Sequence, residues 1–210
     1  MKAVVFPVPI AAALLLAGCV SVLPKPPPMV PKYSVELSPA AVPPPDSRAG
    51  EGLLLVVGRV RAADDAVGTA LRVVDLETGR AWRLRDGELA QSPEAILKSA
   101  IRANLTGRFP AALVCDASVA PHGGRRTTVE AWIEKFRLEK FGDAWAFSAE
   151  IVFTVESPEG GVTGGTIVAQ APVAVAEGAV RPTAATAAKA IADALSSFPF
   201  VLENNRLSLK

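Results

Sequence analysis

The sequence is poor in the residues from which most catalytic and metal centres are built. Its 210 residues include two cysteines and one histidine, His122. Two cysteines exclude a disulfide-rich scaffold and a four-thiolate zinc site, and one histidine excludes any site that needs two. An excess of one charge is also missing, because 22 Lys and Arg stand against 21 Asp and Glu. A nucleic-acid-binding protein normally has a basic excess, so we expect no nucleic-acid partner.

What the sequence does contain begins with a leader. Lys2 is followed by an apolar run over residues 3–17, which has the layout of a signal peptide and is too short to span a bilayer. The run ends in Leu16-Ala17-Gly18-Cys19, which resembles a bacterial lipobox. The resemblance implies cleavage before Cys19 and acylation of its sulfur and new amine. The alternative is an ordinary secretion leader with an incidental cysteine.

The residue after the lipobox cysteine bears on location. In lipobox proteins of Gram-negative bacteria, an aspartate there usually signals retention in the inner membrane, whereas this chain has Val20. The resemblance therefore implies a protein anchored in the membrane by acylated Cys19, on the periplasmic face of the outer membrane. No cofactor is implied.

A proline-rich segment separates the leader from the rest of the chain. Nine of the 18 prolines lie between Pro24 and Pro45, where they prevent a helix or a central strand and favour an extended spacer. We predict a signal peptide over residues 1–18, an acylated cysteine and linker over 19–50, a folded domain over 51–200 and a tail over 201–210. Residues 33–37 alternate in polarity and fit either a short strand or plain linker.

Half of the residues are hydrophobic and a fifth are charged, which is enough for one packed domain. The patterns predict an α+β fold: a mostly antiparallel sheet with two helices packed on one face. Ser92 and Thr183 are the expected helix caps. A bulge is expected near Glu134 and Lys135, because the apolar alternation changes phase there. The predicted strands are 53–60, 71–75, 81–84, 113–119, 127–141, 144–156 and, after a glycine-rich turn over 160–165, 166–175.

No catalytic, cofactor-binding or metal-binding constellation is predicted. His122 stands in a Pro-His-Gly-Gly loop with no nucleophile elbow elsewhere, and Asp64-Asp65 lacks further oxygen ligands at regular spacing. Cys115 lies in an apolar run typical of a buried, inert thiol. Arg125-Arg126 is interpreted as a solvated turn rather than a lipid-headgroup contact. We therefore predict a binding or scaffolding protein and not an enzyme.

Several segments resemble, in order, the ABC-type transport auxiliary lipoproteins of the PqiC type. They are Tyr33-Ser34-Val35, the aliphatic strand 55–60, the amphipathic helix 92–105, the strand pair 129–136 and 144–155, and the Ala-rich helix 187–196. Two family features are absent: the Pro-x-Tyr-Leu segment after the first core strand, and the tryptophan before the first helix.

The resemblance implies a lipid-anchored accessory component of an MCE/ABC-type intermembrane lipid transport system. Its partner would be an MCE-domain protein, and it would dock the transport assembly at the outer membrane. An alternative is an outer-membrane lipoprotein that activates or assembles another envelope machine, such as a peptidoglycan synthase or a lipopolysaccharide exporter.

Overall fold

The structure, a computed structural model, describes residues 29–37, 50–121, 125–203 and 206–209, so Cys19 and His122 lie outside the described residues. The strands are β1 (Lys32–Tyr33), β2 (Leu54–Ala62), β3 (Arg72–Asp75), β4 (Ala81–Arg83), β5 (Glu88–Leu89), β6 (Leu113–Asp116), β7 (Arg126–Phe141), β8 (Ala144–Glu156), β9 (Val162–Pro172), β10 (Phe200–Glu203) and β11 (Arg206–Leu209). The helices are α1 (Pro93–Arg108) and α2 (Ala184–Leu195), with a 3-10 turn at Asp64–Ala66. In this part of the chain, no helix is both long and apolar enough to cross a membrane.

The antiparallel pair β7–β8, which covers the predicted strands 127–141 and 144–156, forms the centre of the main sheet. Its register shifts between Ile133 and Lys135, which confirms the predicted bulge. The shift returns Phe136 and Leu138 to the buried face after Ile133, because one extra residue restores the phase of a period-two pattern. β9 continues the sheet by pairing antiparallel to β8.

The other side of β7 is shared by two strands. β2 pairs parallel with the first half of β7 and β3 pairs parallel with its second half. β6 then pairs parallel with β2, and β4 pairs antiparallel with β3. The molecule is thus the predicted α+β fold, in which a long antiparallel meander is extended by shorter parallel pairs.

Both helices begin at the predicted caps. The Ser92 hydroxyl accepts a hydrogen bond from the N–H of Ala95, and Thr183 forms a reciprocal capping box with Thr186. These bonds satisfy N–H groups that have no partner inside the helix. α1 runs through Gly107 to Arg108, and Phe109 is its C-cap residue.

One hydrophobic core joins the helices to the inward face of the sheet. It contains Leu97, Ile101 and Leu105 of α1, Ile191 of α2, and alternate residues of β7 and β8. Asn104 joins the two helix ends, since its amide donates to the Leu195 carbonyl and its oxygen accepts from the N–H of Phe198. The helices are therefore held together by polar contacts as well as by apolar packing.

Segments from both sides of the predicted domain pack onto this core. β1 pairs parallel with β5, and Tyr33, Val35 and Leu37 are partly buried against the core. The proline-rich region therefore includes a two-residue strand, which overlaps the stretch 33–37 only at Tyr33, and residues 34–37 continue without regular secondary structure. β10 and β11 pair as a hairpin, with Phe200 fully buried.

Candidate docking surfaces

β9 forms one edge of the main sheet. Over the described residues it hydrogen-bonds with no strand except β8. Its 11 residues make it much longer than the edge strands β4 and β6, which have three and four. A strand of this length at an edge leaves a row of backbone donors and acceptors open to another strand.

The register identifies which groups face outward. The N–H of Val173, just past β9, donates to the Trp145 carbonyl of β8 at 2.8 Å. Pairing continues without a shift back to Val162, and residues in an antiparallel strand alternate between facing the partner and facing away. The backbone N–H groups of Thr166, Val168 and Gln170 therefore point to the open edge.

The edge lacks the usual protection against pairing. Proteins commonly protect such edges with lysines, prolines or bulges. β9, with the sequence VTGGTIVAQAP, has no charged residue, no register shift and a proline only at its last position. Val162 and Val168 are also exposed. This combination favours addition of a partner strand.

A second surface is an apolar groove of about 380 Å³ where β7 meets β8. We call it the β7–β8 groove. It is lined by Leu76, Glu139, Phe141, Ala144, Trp145, Ala146, Gln170, Ala171 and Pro172. Phe141 is 65% exposed and Leu76 is 49% exposed. Trp82, 37% exposed, packs edge-on against Trp145 at a ring distance of 6.4 Å, which extends the apolar surface.

Asp75 stabilises the turn that presents Leu76. Its Oδ1 accepts hydrogen bonds from the N–H groups of Thr78 and Glu77, and its Oδ2 lies 3.6 Å from Lys140 Nζ. The Thr78 N–H, helped by the Glu77 N–H and the Lys140 ammonium, holds the pKa of Asp75 below its usual value and outweighs the opposing effect of burial. The turn is thereby tied to the end of β7.

A third surface, which we call the arginine cleft, is a cleft of about 280 Å³ on the sheet face opposite the helices. Arg59, Arg61, Glu130 and Trp132 line it with Val152, Thr154 and Ala131. Neither arginine forms an ion pair with any residue that the structure describes. The carboxylate of Glu130 in the same cleft offsets part of their charge, so the cleft is mixed in charge.

The structure brings together no metal-binding cluster from the residues singled out in the sequence. Within the described ranges, no three His, Cys, Asp or Glu side chains are grouped to hold a metal. Asp64 begins the 3-10 turn. Arg125 is exposed and pairs with Glu159, whose pKa this hydrogen bond lowers. Cys115 is only partly buried, which corrects the expected buried thiol, because β6 lies at a sheet edge.

Sequence patterns did not reveal the β7–β8 groove. They place Phe141 at the end of a predicted strand and assign no role to Leu76. The available signal was a large apolar residue directly beside a turn, at Leu76 before Glu77-Thr78-Gly79 and at Phe141 before Gly142-Asp143. Pairing of β3 with β7 is what places these two turns side by side.

No family model matches the sequence, and no curated protein matches it. Among solved structures, protein XCC0632 from Xanthomonas campestris, of the DUF330 family, is 15% identical, with a TM-score of 0.61 over 78% of this chain and 87% of its own. A second structure, of an uncharacterized protein, is also 15% identical, with a TM-score of 0.58 over 80% and 92%. At this identity the likeness establishes the fold alone.

These comparisons overturn the assignment to the ABC-type transport auxiliary lipoproteins of the PqiC type. The similar structure XCC0632 belongs to the DUF330 family, which is a different family from the PqiC type. Neither a family model nor a curated protein supports the PqiC-type assignment. The matching segments, such as 55–60 and 187–196, are short and apolar. Buried strands and Ala-rich helices of many α+β domains share such segments, so they do not identify a family.

Proposed function

We propose that the protein is a lipid-anchored accessory component that docks an envelope transport assembly at the outer membrane. The proposal rests on one combination: a lipobox cysteine, Cys19, on a domain with an open 11-residue strand edge. The anchor confines the domain to a membrane surface, and the edge offers backbone pairing to a partner. Its role is binding rather than turnover.

The partner we propose is an MCE-domain subunit of an ABC-type intermembrane lipid transporter. An assembly that crosses the periplasm needs an attachment point on the outer membrane. Confinement to that membrane raises the effective concentration of the domain near any partner that reaches it, so a modest contact at the β9 edge is sufficient. The near-zero net charge offers little long-range steering, which leaves apolar contact and backbone pairing as the main sources of affinity.

The experiment compares two substitutions at one position of the edge. Val168→Pro removes an N–H that points outward and leaves the bonds to β8 in place, which is the situation in which an edge strand tolerates proline. Val168→Thr keeps the N–H and a β-branched side chain, so it is the matched control. Thermal melting establishes that both variants fold.

Affinity purification of the anchored full-length protein from envelopes is the measurement. We expect an MCE-domain subunit with the wild type and with Val168→Thr, and at least about tenfold less with Val168→Pro, since the bond from the Val168 N–H is lost and the partner's acceptor is left unpaired. Equal recovery with both variants would contradict docking at the β9 edge. Recovery of only a peptidoglycan synthase or a lipopolysaccharide exporter would contradict the proposed partner.

A further inference from the structure

The β7–β8 groove is bordered by three large exposed side chains that strand pairing at β9 does not use. Leu76 lies in the turn after β3, Trp82 lies on the edge strand β4, and Phe141 lies at the end of β7. They come from separate segments and meet at one end of the sheet, around Trp145. A contiguous exposed apolar surface of this kind marks an interaction site.

The polar groups in the groove already have partners in the protein. Glu139 accepts two hydrogen bonds from Arg137, at 2.8 and 3.0 Å. The amide of Gln170 donates to the Ser148 hydroxyl at 3.5 Å. The other seven residues that line the groove are all apolar, so the groove suits an apolar occupant.

The charges around the groove balance each other. Arg80 and Arg83 are close to Trp82 in the chain and are exposed. Glu77 follows Leu76, Asp143 stands two residues after Phe141, and both are exposed. An acidic or basic partner would therefore gain little from this surface. A tryptophan beside arginines is, by contrast, suited to the boundary between hydrocarbon and water.

The tether places this surface within reach of a membrane. Met29 is 97% exposed and stands ten residues after Cys19. At about 3.1 Å per residue, a spacer of that length holds Met29 within roughly 30 Å of the bilayer. A domain of this size has a radius of gyration of about 15 Å, so any of its faces can reach the membrane. The face with the exposed apolar side chains gains the most from contact with the bilayer.

We propose that Leu76, Trp82 and Phe141 insert into the hydrocarbon boundary of the bilayer that holds Cys19. This inference rests on the proposed lipid anchor. It also orients the docking edge: Pro172, the last residue of β9, lines the groove, so β9 rises from the membrane and Val162 lies roughly 30 Å above it. The open stretch of the edge from Thr166 to Gln170 then faces a partner above the membrane.

The test uses the full acylated protein in vesicles of phosphatidylethanolamine and phosphatidylglycerol that contain phospholipid brominated on its acyl chains. Trp132→Phe removes the tryptophan of the arginine cleft and leaves Trp82 and Trp145, both at the groove, as fluorescent reporters. We expect bromine to quench their emission. Replacing phosphatidylglycerol with phosphatidylcholine should change the quenching little, because the surrounding charges balance.

Two pairs of substitutions in that background complete the design. Leu76→Ser with Phe141→Ser removes two inserting side chains. We expect the ratio of membrane-inserted to non-inserted domain to fall at least about tenfold, with a matching loss of quenching. The matched control is Val162→Ser with Val168→Ser, which removes two exposed valines of the docking edge and should leave quenching unchanged. Both pairs alter exposed side chains, and melting curves establish folding.

Three outcomes would overturn the inference. Absence of quenching in protein that floats with the vesicles would overturn membrane insertion and leave the anchor intact. Absence of quenching together with a dimer that Leu76→Ser and Phe141→Ser dissociate would assign the groove to a second copy of the chain. Failure to float with the vesicles would overturn both the anchor and this inference.

Discussion

At the scale of single residues, Asp75 links a short turn to the end of the central strand. Its carboxylate accepts bonds from the Thr78 and Glu77 N–H groups and lies close to Lys140. The charged form is therefore favoured in the folded state, which is why the pKa of Asp75 lies below its usual value. The contribution to stability is present above the unfolded pKa of about 3.9 and is lost as the pH falls through the lower folded pKa.

Asp75→Asn tests this contribution. We expect the variant to melt at a lower temperature than the wild type at pH 7, because it lacks the charge that pairs with Lys140. The difference should begin to shrink as the pH falls below about 4, where the carboxylate of the unfolded state takes up a proton, and should be lost below the lower pKa of the folded state. Asp64→Asn, at an exposed position, is the control and should melt like the wild type. A difference that persists unchanged to pH 2 would contradict the account.

Residue-level prediction succeeded where the cause is local. Ser92 and Thr183 cap their helices as expected, because a cap depends on the next three residues. Cys115 was expected to be buried, since its neighbours Leu113 and Val114 are apolar. Its actual exposure depends on the position of β6 in the sheet, which those neighbours do not encode.

At the scale of elements, the glycines at the start of β9 show how a glycine-rich stretch can be mistaken for a turn. The predicted turn covers 160–165, but the turn ends at Gly161 and β9 begins at Val162. Gly164 lies inside the strand, where an added Cβ would come within 2.7 Å of the Phe153 carbonyl oxygen. Glycine is needed at this position for close approach of two backbones, a requirement that sequence alone does not distinguish from a turn.

The neighbouring glycines provide a matched pair of variants. Gly164→Ala should destabilise the protein by about 1–3 kcal/mol, because backbone cannot move away as a side chain can. At Gly165 the nearest atom to an added Cβ is Leu209 Cδ1, at 3.9 Å, so Gly165→Ala should be tolerated. Thermal melting with hydrogen exchange over β9 is the measurement. Equal effects of the two substitutions would contradict the β8–β9 register.

The bulge and the parallel pairs mark the limits of element-level prediction. A phase change in the apolar alternation was enough to place the bulge at Glu134, because one face of β7 must remain buried. The parallel pairing of β2 and β3 with β7 joins segments far apart in the chain. Short apolar runs contain no information on their partner, so this pairing was not predicted.

At the scale of the whole molecule, part of the proline-rich region belongs to the folded domain. The Tyr33 carbonyl accepts from the N–H of Ala90 at 2.8 Å, and the Pro31 carbonyl accepts from the N–H of Glu88 at 2.9 Å. The Tyr33 ring also lies against Gly87, where a Cβ would come within 2.5 Å of its Cε2. The part of the proline-rich region around Tyr33 is therefore part of the fold rather than a spacer.

Tyr33→Ala should lower the free energy of unfolding by roughly 2 kcal/mol, since it removes a half-buried ring from the core. Met29→Ala, at a position that is almost fully exposed, is the control and should change stability little. Chemical denaturation of the two variants is the measurement. Equal stability of both would show that the segment does not contribute to the fold.

The two proposed surfaces also depend on how the strands are arranged in the whole molecule. The open edge of β9 depends on which strands lie beside it, and the groove depends on two turns that meet through the β3–β7 pairing. Sequence patterns predicted the α+β fold class, which the structure confirms. They could not supply the surfaces, because the surfaces arise from contacts between distant segments.

The most direct test of the account is photo-crosslinking in living cells with a photoreactive amino acid at position 168, on the open edge of β9. Position 132, in the arginine cleft, is the control site. We predict an adduct with an MCE-domain subunit from position 168 that is much weaker from position 132. Absence of that adduct from anchored, folded protein, or an adduct only with a peptidoglycan synthase, would contradict the account.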